Sequence, residues 1–393
     1  MKRKLMLPSL LALALFLGAA RSAMASTTWY VNGVKGNNSY NCKSPASACK
    51  TIGHAISHSS SGDSIIVAPA TYKENLSIAF TLTITGSPTP TTPTIIDGGG
   101  STKKATVVTI KSTAHVTLAD LTLQNGFDLT TGGGGIHNAG TLMIVNTTVS
   151  GNSSYDSGAP AGGLGGGIYN AGTGTLTVLQ STISGNTATR SRPGANGAGG
   201  GIYNAGRLTI TNSTLSWNQA ADNYPAMAAY GGGIANESGS STMINMINNS
   251  TISQNEALIK TPVGNGATYG GGIYNKSGTA LTVQNSILAN NSNGGNCYGS
   301  LTSHGYNMSS DGTCTKSLHD SGDRNNTNPN LGPLRNNGGP TKTMALLSPS
   351  PAMNAGNPSG CTDSSGKRLL IDQRNLKRPD PGACDMGAYN HQP

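Results

Sequence analysis

A six-residue pattern that returns five times constrains this chain more than any other feature. Gly133-Gly134-Gly135-Ile136-His137-Asn138 recurs as GGGIYN at 165–170, 199–204 and 270–275, and as GGGIAN at 231–236. The isoleucines are spaced 32, 34, 32 and 39 residues apart. Each copy runs into a Thr/Leu/Val-rich segment and then a third short one ending in Asn: TVSGN at 148–152, TISGN at 182–186, TLSWN at 214–218, TISQN at 251–255 and SILAN at 286–290. A weaker copy precedes them, from Gly98 through Thr117-Leu118 to Gly126. Self-similarity at such a period marks a stack of units, none of which can bury its apolar face alone.

Three alternating strands per repeat, parted by one or two turn residues, leave no room for a crossover helix. Each strand must therefore pair with its equivalent in the next repeat, about 4.8 Å away. The expected fold is all-β, a right-handed parallel β-helix of roughly eight to ten coils from about Ile65 to Ser300. Its inward positions form apolar ladders: Ile136, Ile168, Ile202, Ile234, Ile273; then Leu142, Leu176, Leu208, Leu281; then Val149, Ile183, Leu215, Ile252, Ile287. Extra residues in Thr242–Asn249 leave the middle register of that repeat open. Sharp corners need left-handed backbone, which Gly and Asn adopt cheaply. Asn138, Asn170, Asn204, Asn236 and Asn275 then stack as one amide ladder, and Asn152, Asn186, Asn218, Asn255 and Asn290 as a second.

The first 25 residues read as a secretory leader, with Lys2, Arg3 and Lys4 before an apolar Leu10–Ala20 and Ala23-Met24-Ala25 as the cleavage site. No later run is long and apolar enough for a membrane helix. The leader holds four of the 25 Lys/Arg and none of the 16 Asp/Glu, so the mature chain carries 21 against 16. With no basic cluster before Lys367-Arg368 and Lys377-Arg378, nucleic acid is a poor partner. Six cysteines fall in local pairs, Cys42/Cys49, Cys297/Cys314 and Cys361/Cys384. Without CxxC or clustered His, disulfides by proximity are expected rather than a metal site. The organisation expected is a leader (1–25), an N-terminal cap and first coils (26–95), repeats (96–295), a disulfide loop (296–327) and a C-terminal module (328–393).

The opening Cys49–Leu76, with Ile52, Ala55 and Ile56 on one helix face and GDSIIVAPATY after it, resembles the entry of the pectin-lyase-like β-helix superfamily. There a short amphipathic helix caps the first coil. The tail resembles the C-terminal module called choice-of-anchor Q. The likeness rests on Pro329–Leu334, Asn337–Thr341, Ser350-Pro351-Ala352, Asp372-Gln373-Arg374, Arg378-Pro379 and Cys384–Ala388. An acidic residue commonly follows that last motif, and here Asn390 stands nearby instead. The resemblance implies a fold and a surface protein, not an activity.

Catalysis on a glycosidic bond needs two carboxylates within about 5–10 Å. Asp97, Asp120, Asp128, Asp156, Asp222, Glu237 and Glu256 are instead scattered singly. Asp156 and Asp222, with Arg190 between them, are the one lyase-like set. Lone His137 takes the place of a repeat tyrosine and reads as a surface variant. No cofactor is implied.

Two features suit binding. Segments 153–164, 187–198, 219–230 and 256–269 each carry one proline (Pro160, Pro193, Pro225, Pro262) and read as loops forming a wall on one side. They bring Tyr155, Arg190, Arg192, Tyr224, Tyr230 and Tyr269. The outward strand face presents Tyr169, Tyr203 and Tyr274 in a stripe, and hydroxyl pairs Thr148/Ser150, Thr182/Ser184, Thr214/Ser216 and Thr251/Ser253 in another. The sequence therefore favours a secreted or cell-surface monomer, adhesin-like, that binds polysaccharide or other surface glycans without catalysis. A pectin-directed polysaccharide lyase or glycoside hydrolase is the alternative, and an ice-binding or purely structural solenoid the third reading.

Overall fold

The computed structural model describes residues 26–393 except 90, 157, 159–161, 192–196, 224–227, 239–242, 244, 261–265, 380–381 and 393. The leader, Tyr224, Arg192 and the four wall prolines lie outside the described residues.

The chain is a parallel β-helix. A repeat lays down three main strands, as in Ile168–Asn170, Thr175–Leu179 and Thr182–Ser184. Each pairs in parallel with its equivalent one repeat on: Ile168 with Ile202, Leu176 with Leu208, Ile183 with Leu215. The three resulting sheets contain eight, ten and nine strands. The solenoid extends beyond the expected span at both ends. Thr28–Val31 pairs with Asp63–Val67 as the first rung, and Thr302–Ser303 and Met308–Ser309 form the last. The stretch read as a disulfide loop is thus a coil, closed by Cys297–Cys314. The other two bonds are Cys42–Cys49 and Cys361–Cys384, as proximity pairing predicts.

Helix α1 (Ile52–His58) packs Ile52 and Ala55 into the core beside the first rungs. Trp29 donates Nε1–H to Asp63 at 2.9 Å, and the amides of Thr27 and Ser60 donate to the same carboxylate. Burial raises the Asp63 pKa, but these hydrogen bonds outweigh it and hold the group below its ordinary value. A lowered carboxyl pKa contributes stability that is present above pH 3.8 and lost as pH falls through the folded-state value. Asp63→Asn should therefore unfold with a shallower dependence on pH below about 4 than wild type, measured by melting between pH 7 and 2.

The Ile ladder from Ile136 to Ile273 is fully buried and in register. The middle ladder is interrupted once. Extra residues set Thr209 against Met246, so Leu208 falls opposite Asn245 before Leu281 resumes the line. Asn245 is satisfied there: it accepts from the Leu208 amide at 2.8 Å and donates to Ser238 Oγ and Ala280 O. The third ladder departs from expectation at its end. Ile252 pairs with Leu288, not Ile287. The double asparagine of SILANN permits the slip: Asn291 enters the amide ladder, and Asn290 takes the left-handed corner (φ 56°) held before it by Gly151, Gly185, Trp217 and Gln254. The displaced Ile287 turns outward and is buried against Met308, Leu346, Ala352 and Met386.

Both amide ladders are continuous. Asn138, Asn170, Asn204 and Asn236 each donate Nδ2–H to the next Oδ1 at 2.7 Å, ending on Asn275. The second runs Asn152, Asn186, Asn218, Asn255, Asn291, Asn296 at 2.9–3.0 Å. Backbone carbonyls such as Val149 O and Ile183 O accept the other amide protons, so these fully buried groups lack nothing.

The tail lies along the solenoid as a strap. It opens with the antiparallel pair Leu331–Arg335 and Thr343–Leu346. A row of left-handed corners, Gln180, Asn212, Asn249 and Asn285, holds it through Asp372 O, Ile371 O, Thr362 O and the amide of Asn357 in turn. Gln373 is fully buried; its Oε1 accepts from Thr214 Oγ1 at 2.6 Å, and its amide meets Thr182, Thr341 and Lys342. Arg374 grips Asp372 at 2.6 Å and lies 3.7 Å over the Tyr389 ring. Arg378 donates to Asn212 Oδ1 and Gly387 O, and burial brings its pKa down to about 10.

Candidate functional site

The wall segments are not loops for most of their described length. Phe127–Asp128, Ser153–Tyr155, Thr187–Arg190, Gln219–Asp222 and Glu256–Ile259 form a five-stranded parallel sheet. Gly197–Ala198, Ala228–Tyr230 and Ala267–Tyr269 form a second, three-stranded one. Alternating small side chains allow this: Ala188, Ala220 and Ala257 are buried in register beneath the wall.

Where the second wall sheet runs back into the repeat, its tyrosines meet those of the IYN strands. His137, Tyr169 and Tyr203 stack in order, with centroids 5.2 and 5.3 Å apart and planes 16° and 3° apart. His137 is therefore the first ring of the row rather than an isolated variant. At the next coil Ala235 replaces the tyrosine. At that same coil Tyr230 of the wall stacks on Tyr269 of the next coil (5.2 Å) and tilts against Tyr274 (4.6 Å). Tyr298 closes the row against both Tyr274 and Tyr269. Sequence reading missed Tyr298, though its place one residue after Cys297, which pairs with Ile273, is the signal. Because the rings cover one another's faces, the row offers a partner hydroxyl edges more than stacking surface. Only Tyr298, 46% exposed, leaves much ring free.

The Glu237 carboxylate, whose charge acts on the Tyr203 phenol, lies 3.7 Å from Lys276 Nζ. Burial, and then the Glu237 charge, push Tyr203 well above the usual phenol range and Tyr274 up to about 12; burial likewise raises Tyr169 and Tyr230. These phenols stay protonated donors in alkaline solution. The row ends in a concavity of about 360 Å³ lined by Tyr274, Lys276, Ser277, Thr279, Tyr298 and Ser300.

The other sequence candidates fare differently. Tyr155 stands apart on the first wall sheet, 37% exposed, its hydroxyl accepting from Ser191. Asp156, Arg190 and Asp222 come into line on successive coils: Arg190 pairs with Asp222, and the Asp156 amide donates to Thr189 O. All three are buried, Asp222 completely. The hydroxyl face is not free. Thr182, Thr214, Ser216, Thr251 and Ser253 are buried, with Thr182, Thr214 and Thr251 bonded to Lys342, Gln373 and Ala388 of the tail. Only its first rows remain open, Thr148 and Ser150 among them, so the flat array needed for ice binding is covered. Trp217, which sequence reading passed over, is 59% exposed at a left-handed corner where the two preceding coils have glycine.

No protein-family model matches this chain, and no curated protein matches it. Among solved structures it is similar to the pectin methylesterase from Aspergillus niger in a penultimately deglycosylated form. The identity is 18% and the TM-score 0.38, over 78% of this chain and 86% of that one. It is similar also to a pectate lyase at 14% identity and a TM-score of 0.36, over 93% and 97%. No helix among the described residues is long and apolar enough to cross a membrane.

Proposed function

We propose that this is an exported β-helix, free or held at the cell surface, that binds polysaccharide along the tyrosine row without cleaving it. One observation carries the reading: two sets of tyrosines, from different sheets, converge on a single half-buried row that ends in a polar concavity beside Lys276. Phenol and Ser/Thr hydroxyls match the donor and acceptor pattern of sugars, and the Tyr298 ring supplies apolar area at low entropic cost. Lys276 favours a glycan that carries carboxylates. The absence of turnover rests on Asp156, Arg190 and Asp222 being enclosed rather than facing a substrate.

Tyr298→Ala should weaken binding to a polygalacturonate and neutral-glycan panel at least tenfold, about 1.4 kcal/mol. Melting should hardly change, because the ring is half exposed. Lys276→Ala should weaken only the acidic glycans. Wild type that binds none of the panel sinks the proposal. Release of 4,5-unsaturated products, lost in Asp222→Asn, would replace it with a lyase.

A further inference from the structure

We propose that His54 and His58 form a binding site for a divalent first-row transition ion, Zn2+ or Cu2+, on the cap helix. They stand four residues apart on α1 and so share one face. Their Nε2 atoms point at each other across 3.2 Å, with the rings edge-on at 4.6 Å. Two metal–imidazole bonds of about 2.0–2.1 Å to atoms at that separation enclose roughly 100°, close to a tetrahedral angle. As the rings stand, one must donate to the other. Loading needs both in the Nδ1–H tautomer, so that two Nε2 lone pairs face the ion; no proton need leave the protein.

The pair is held before any ion arrives. Thr51 caps the helix by accepting from the His54 amide, and both Glu74 oxygens accept from the amides of Ile52 and Gly53 at 2.8 and 2.7 Å. Ile52 and Ala55 anchor the opposite face in the core. Trp29, fixed by Asp63, stacks on His58 with centroids 5.9 Å apart. The sulfurs of Cys42 and Cys49 lie near His54 but are committed to their disulfide, so water would complete the coordination. Imidazole pairs suit zinc and copper, and copper should bind the tighter.

The test uses metal-stripped mature protein titrated with Cu2+ and Zn2+ against a chromophoric chelator. One equivalent should bind at least tenfold tighter to wild type than to His58→Ala or to His54→Gln/His58→Gln, and the Cu2+ EPR spectrum should show two coupled nitrogens. Excess Zn2+ should raise the melting temperature of wild type and not of the variants, since an ion that binds only the folded state stabilises it. Circular dichroism of the unloaded variants verifies that they fold; the conservative glutamine pair keeps the comparison usable if alanine does not. Equal affinity in wild type and the folded double variant, or a Cu2+ spectrum unchanged by it, overturns the proposal. Glycan binding is read separately and should be indifferent to both variants.

Discussion

Asn218→Leu should destabilise the folded protein by about 3–5 kcal/mol, because it strands several buried polar groups at once and each costs about 1–3 kcal/mol. Asn218 Oδ1 accepts from both the backbone and side-chain amides of Asn186, and its Nδ2 donates to Ile183 O and Asn255 Oδ1. Leucine removes all four bonds at a site with no exposure, and water cannot replace them. Guanidinium unfolding measures the loss. Asn291→Leu should behave alike, whereas Asn290→Gly should cost under about 1 kcal/mol, since that corner needs left-handed backbone and not an amide. A larger cost at 290 than at 291 would show that the ladder ends where the repeat pattern places it, not one residue later.

Gln373→Ala should cost about 2–4 kcal/mol and loosen the strap. Its side chain joins the solenoid at Thr182 and Thr214 to the tail hairpin at Thr341 and Lys342, and the bonds to the three threonines are buried. The solenoid core does not depend on it. The variant should therefore keep its β-sheet circular dichroism while becoming sensitive to limited proteolysis within 328–393. A tail as resistant as that of wild type would show that Arg374 and Arg378 hold it without the glutamine.

Much of this fold was legible because a repeat states its own register. Ile136 through Ile273, the first asparagine column and the second as far as Asn255 could be read from spacing alone, and the disulfides from proximity. The Ile287 slip could not. Ile287 and Leu288 serve equally well as core residues, as do Asn290 and Asn291 at the corner, and the choice follows from a partner cluster contributed by Leu346, Ala352 and Met386 far along the chain. The wall strands escaped notice because TATR, QAAD and EALI are too short to show a period. Of the candidate site, the tyrosines were visible, but not that wall and strand tyrosines merge or that Tyr298 completes them. The burial of the Thr/Ser face was hidden for a simple reason: nothing in the pattern of Thr214 or Thr251 announces Gln373 or Ala388 as a neighbour.

A bare solenoid is indifferent to its own length, since a duplicated or deleted repeat leaves every remaining interface as it was. The strap removes that indifference. Gln180, Asn212, Asn249 and Asn285 are spaced one per coil, and each meets its own residue on a non-repetitive tail. Adding or dropping a single coil between them would put every later fastening out of step by one rung. The tail thus works as a gauge that rejects miscounted copies, and repeat-number variation in chains of this design should be confined to the rungs before Gln180.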